Sequence, residues 1–132
     1  MKLLSTPISL NLLAQLTLLI KMKNVGQAPD GHIFACTSKS ERECFDRMLF
    51  ATNHVYGENV LKIKKGDLLF LLNLDTDTLY GTFLASSDGA KDIVPEAWKG
   101  RYPYQVKVSH DGKICSIIGA KNDLSTTGIS WQ

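Results

Sequence analysis

The sequence predicts one α+β domain, a small mixed β-barrel with flanking helices. Three observations carry this. The chain has 132 residues, enough for one domain with little left for a second. Its residues are 44% hydrophobic, ample for one packed core, which excludes wholesale disorder. After one well-marked helix come four short strand-like runs, and many short strands with few helices suit a small barrel with helices at its ends.

The elements follow in order. Residues 1–23 are read as an apolar helix or extension, and 24–132 as the single domain. In the first part, Thr6 can cap a helix with Pro7 at its first position, where the missing N–H costs nothing. Leu12, Leu13, Leu16, Leu19 and Ile20 then share one face, so helix 8–20 is expected to pack on the domain, on a partner chain or on a second copy. Its polar interruptions argue against a membrane span, and no small-residue cleavage site follows it. Met22 offers an alternative start, which would leave residues 1–21 as an upstream extension.

Residues 24–30 form a linker or turn, and GHIFAC (31–36) reads as a buried strand. Ser40 and Glu43 make a capping-box pattern, and Cys44, Phe45, Met48 and Leu49 follow at helical spacing, which predicts a helix over 39–49. Residues 50–58 read as a loop and Lys65-Gly66-Asp67 as a turn. LLFLLNL (68–74) is a buried strand, with a turn at Asp75–Thr78 and LYGTFLAS (79–86) as its hairpin partner. A long connection, 87–100, holds one turn of helix at Glu96–Trp98. PYQVKVS (103–109) alternates like a half-exposed strand, and the Asp111-Gly112 hairpin turn leads into ICSII (114–118).

Composition and motifs exclude more than they assign. Fifteen Lys and Arg against thirteen Asp and Glu give +2, too weak for a bulk polyanion binder, though not for a local basic patch. Three cysteines without a CxxC pair fit neither a disulfide framework nor a zinc ribbon, and point to free thiols in a reducing cytoplasm. No nucleophile elbow, zinc-protease, P-loop or dinucleotide fingerprint is present. Asp75-x-Asp77 fails as a calcium loop because Tyr80 stands where glycine is needed. His32 lies four residues before Cys36, too far along a strand to share a metal. No cofactor and no catalysis are expected.

The aromatic and basic residues are more informative. Phe50 opens a polar loop, and Trp98 sits in another, where such a ring plugs the core or lines a pocket. Lys91, Lys99 and Arg101 surround Trp98, and Lys62, Lys64 and Lys65 form a second basic cluster. Clusters that converge in space can follow a phosphate backbone.

Three strings, taken in order, resemble the development-and-cell-death (DCD) domain: GHIFACTSKSERECFDRMLFATN, IKKGDLLFLLNLDTDTLYGTFLASSDG and IVPEAWKGRYPYQVKV. The resemblance covers about 31–117. It implies a PUA-like layout akin to the YTH and EVE domains. YTH domains hold a methylated adenine of RNA in an aromatic cage. By that likeness Phe50 and Trp98 take two cage positions, and Thr37 and Ser38, with the loop around Asn53, read the base edge. Lys91, Lys99 and Arg101 hold flanking phosphates. Phe50 stands where YTH domains have tryptophan, and the base-edge tyrosine is replaced by the Ser38-Lys39 region, with Tyr102 and Tyr80 as further aromatic candidates. The resemblance thus implies a non-catalytic pocket for a flipped base of RNA or single-stranded nucleic acid, modified or not. The alternative is a protein-interaction module of the DCD type.

Overall fold

The structure, a computed structural model, describes residues 31–110, 112 and 114–120. Helix 8–20, the 24–30 linker and the tail after 120 lie outside the described residues.

The fold is mixed α+β. Seven strands, β1 (Gly31–Cys36), β2 (Leu49–Thr52), β3 (Leu68–Asn73), β4 (Thr78–Ala85), β5 (Ala90–Lys91), β6 (Tyr104–Ser109) and β7 (Cys115–Ile118), join in one sheet. Among the described residues they are joined by helices α1 (Ser38–Arg47) and α2 (Gly57–Leu61) and two 3₁₀ turns, His54–Tyr56 and Ala97–Gly100. The strand order is β1-β3-β4-β6-β2, with β7 beside β4 and β5 beside β6. The β1–β3 pair is parallel and every other pair antiparallel.

β1 and β2 end the strand order and are not paired with each other. Side chains fill the seam between them: the Phe34 and Phe50 ring centroids lie 5.6 Å apart, and Phe50 packs edge-on to Phe83 at 4.9 Å. The main core gathers Phe34, Leu49, Phe50, Leu69, Leu71, Phe83 and Val106, with Cys44 brought in by α1. The alternate residues Ile33 of β1 and Phe70 and Leu72 of β3 form a second cluster with Leu79 and Ile117. β3 is therefore buried on both faces, which explains its unbroken apolar run.

Three expectations are corrected. The 50–58 loop holds a strand, a 3₁₀ turn and α2. β2 is four residues long, and its partner β6 lies about fifty residues on, so no local periodicity marks it. The hairpin expected at Asp111-Gly112 does not form: β6 and β7 both lie along β4, pairing with its end and its start. Finally, α1 begins earlier than its capping pattern suggests. Thr37 is the N-cap, its backbone N–H donates to Ser40 Oγ at 3.0 Å, and Glu43 is left for another partner.

No helix among the described residues is long and apolar enough to cross a membrane.

Candidate nucleic-acid interface

A cavity of about 280 Å³ opens at the seam, beside α1. The end of β1 contributes Cys36 and Thr37, α1 contributes Ser40 and Cys44, and the end of β2 contributes Thr52 and Asn53. Three aromatic rings complete the wall: Tyr56, Trp98 and Tyr102. A second cavity of about 210 Å³ shares Thr37, Ser40, Trp98 and Tyr102, and adds Lys39, Glu43, Lys99 and Arg101.

Trp98 reaches the cavities because its backbone turns left-handed. Trp98 has φ 48°, Lys99 φ 55° and Gly100 φ 79°. Two non-glycine residues in this region cost roughly 1–3 kcal/mol each and persist only where neighbours hold them. Helix α1 supplies that hold. The Trp98 backbone N–H donates to Glu43 Oε2 at 2.9 Å, and the indole N–H donates to the Ser40 carbonyl at 3.0 Å. Arg47 Nε–H donates to the same Glu43 oxygen at 2.9 Å. The Trp98 N–H, helped by Arg47 and Lys99, holds the Glu43 carboxyl below its usual range. Trp98 as a residue is 7% exposed, and its ring meets Tyr102 edge-on, with centroids 5.8 Å apart.

The remaining residues proposed from sequence divide. Thr37 and Asn53 line the larger cavity, and Lys99 and Arg101 line the smaller one. Asn53 Oδ1 accepts the Val55 N–H at 3.0 Å and so caps the 3₁₀ turn that presents Tyr56. Phe50 is corrected: it is 0% exposed, enclosed by Phe34 and Phe83, and offers no face to a ligand. Ser38 is corrected as well. Its backbone N–H donates to Asp75 at 2.9 Å and its hydroxyl accepts from the Asn73 amide, so it serves the β3–β4 turn. Lys91 lines neither cavity; its ammonium lies 5.9 Å from the Tyr104 ring centroid. Tyr80 packs edge-on to Phe45, and burial together with Glu41 pushes its phenol up to about 12.

Sequence reasoning missed Tyr56 and the site roles of Ser40 and Glu43, and placed Lys39 at the base edge, whereas it lines the smaller cavity. Asn53 directly before a short aromatic segment was the available signal for Tyr56, since an Asx cap fixes where that ring points.

Cys36 in the cavity wall is not an activated thiol. A hydrogen bond with the Cys44 thiol, then burial, then the Glu41 and Asp75 carboxylates push the Cys36 thiol up, so it stays neutral. Among the described residues no group of three His, Cys, Asp or Glu side chains is placed to hold a metal ion.

Residues 30–122, more than half of the chain, match the family described as the development and cell death domain. The chain belongs to that family. It is 38% identical over 95 residues to the B2 protein of Daucus carota, covering 67% of this chain and 45% of that one. It is 38% identical over 85 residues to the DCD domain-containing protein NRP-B of Glycine max, covering 59% of this chain and 26% of that one. The chain thus spans less than half the length of these curated relatives. Among solved structures, this DCD domain is similar to the YTH domain-containing protein mmi1 in an RNA complex. The TM-score is 0.51 at 12% identity, covering 72% of this chain and 63% of that one. The YTH domain of the Zygosaccharomyces rouxii MRB1 protein, in complex with N6-methyladenosine RNA, gives TM-score 0.51 at 14% identity, covering 70% and 64%. At these identities the likeness establishes a YTH-like fold.

Proposed function

We propose that this DCD domain is a non-catalytic nucleic-acid-binding module that takes one unstacked base into the seam cavity. The observation that carries the reading is the aromatic wall of Trp98, Tyr102 and Tyr56 around a cavity of about 280 Å³. That volume lies near the small end of ligand cavities, about 300 Å³ and upwards, and suits one ring system rather than a whole nucleotide. Stacking on such rings contributes about 1–3 kcal/mol per base and tolerates any base. Thr37, Ser40 and the Asn53 amide supply the polar groups for a base edge, as single-strand readers require. Lys99 and Arg101, joined by Lys39, line the adjoining cavity and would take a flanking phosphate. The YTH-like fold, solved with RNA in two neighbours, adds support for an RNA partner.

The test is a titration with short single-stranded RNA and DNA, carrying unmodified and methylated bases, at two salt concentrations. Binding that weakens with salt and is lost in Trp98→Ala is the expected result. Trp98 is buried, so Tyr56→Ala, at a residue 42% exposed, separates lost binding from lost folding. Wild-type affinity in Tyr56→Ala and Trp98→Ala together would end the reading.

The second reading, a protein-interaction module, is favoured by the exposure of Val55 and Leu61 beside Tyr56. It expects no oligonucleotide binding, and loss of a partner in Val55→Asp or Leu61→Asp.

A further inference from the structure

We propose that Glu43 is the positioning residue for both cavities, holding through the Trp98 backbone N–H the left-handed turn that gives one cavity its indole wall and the other its Lys99. The inference rests on the base-pocket reading above and names what sets that pocket's geometry.

Three observations support it. First, Trp98 is fastened to α1 at two points. Ser40 takes the ring N–H at 3.0 Å, and Glu43 takes the main-chain N–H at 2.9 Å. The ring alone could be held by Ser40. The disfavoured φ values of 48° and 55° at Trp98 and Lys99 need a hold on the main chain. A carboxylate acceptor gives the stronger, charge-assisted form of that bond.

Second, the carboxylate is itself oriented. Arg47, one helical turn on, donates to the same oxygen at 2.9 Å. Glu43 does not line the larger cavity, and its bond to the Trp98 N–H links it to the indole that does.

Third, Glu43 brings a negative charge, paired with Arg47, to a cavity whose other charged residues are cations. It lines the smaller cavity with Lys39, Lys99 and Arg101. An acid beside cations that face phosphate weakens polyanion binding by simple electrostatics. Its hydrogen bonds from the turn and from Arg47 offset that cost.

The two roles give opposite signs, which makes the test sharp. Glu43→Asp keeps the charge and loses the reach. Glu43→Gln keeps an acceptor at full reach and loses the charge. The probe is a short single-stranded RNA carrying N6-methyladenine, beside its unmodified form. Binding is measured across a salt series, and hydrogen exchange of the Trp98 amide is followed by NMR without RNA.

In Glu43→Asp the expected Kd rises about tenfold, as loss of a charge-assisted bond implies. Its salt slope falls by about 0.7, one phosphate contact on a single strand, because Lys99 is displaced. The Trp98 amide exchanges faster. Glu43→Gln is expected to bind as tightly as wild type or tighter, with Trp98 still protected. Wild-type affinity and wild-type Trp98 exchange in Glu43→Asp would overturn the proposal. So would weakened binding in both variants with Trp98 exchange unchanged. If wild type binds neither RNA, the base-pocket reading fails, and the exchange comparison still decides whether Glu43 holds the turn.

Discussion

Gln105 and Val94 exchange two hydrogen bonds. The Val94 N–H donates to Gln105 Oε1 at 2.7 Å, and Gln105 Nε2 donates to the Val94 carbonyl at 3.0 Å. The same nitrogen reaches the Tyr102 carbonyl at 3.0 Å. Gln105 is 1% exposed, so this amide replaces a stretch of sheet ladder for the connection that carries Trp98 and Tyr102.

Gln105→Leu keeps much of the volume and strands the polar groups of Val94. The expected loss of stability is about 2–3 kcal/mol, the cost of buried groups left without partners. Urea unfolding measures it. Because the connection carries two aromatic walls of the cavity, oligonucleotide affinity should fall in parallel.

Phe50 separates packing from recognition. Phe50→Ala empties space between Phe34 and Phe83 and should cost about 3–5 kcal/mol. Phe50→Leu keeps much of the core filled, and its affinity for any RNA should match wild type. A selective loss of binding in a stable Phe50→Leu protein would return Phe50 to the pocket.

Gly89 lies where a side chain has no room. A methyl group there would overlap the Val60 carbonyl, while the Gly89 N–H donates to the Ile63 carbonyl at 3.0 Å. Gly89→Ala must push the loop away from α2, which carries the Val60 carbonyl. The expected cost is about 1–3 kcal/mol, read from the thermal midpoint.

Glu43 makes stability depend on acid. Its carboxyl titrates lower in the fold than the ordinary value of 4.5, with the Trp98 N–H as the main cause. Arg47 from its own helix and Lys99 from the turn add to this, and Lys39 and Arg101 line the same cavity. A depressed folded value means the contribution is complete at neutral pH and is lost as pH falls through that value. Wild type should therefore lose an advantage over Glu43→Gln below about pH 4.5, seen as convergence of their urea midpoints.

Much of this was legible in the sequence by itself. The unbroken run at 68–73 and the alternation at 104–109 determined two central strands, because burial on two faces or one face writes those patterns directly. The ordered strings determined the family, and Trp98 in its Gly/Pro-bounded connection was visible as the ring to watch. The tertiary structure decided the rest. Phe50 went inward because β2 pairs with β6, a strand distant in sequence, and four residues carry too little pattern to set a phase. Ser40 and not Ser38 faces the cavity, since two residues on a helix are about 200° apart and the start of α1 sets which one turns in. Lys91 and Lys99 are close in sequence, yet one sits over Tyr104 and the other lines the smaller cavity. Glu43 had an expected local partner one turn back and found a stronger one 55 residues on. Short-range pattern encodes which residues are apolar and how they repeat. Which polar group meets which, across a seam closed by side chains alone, is set only when the sheet curls and α1 comes down beside it.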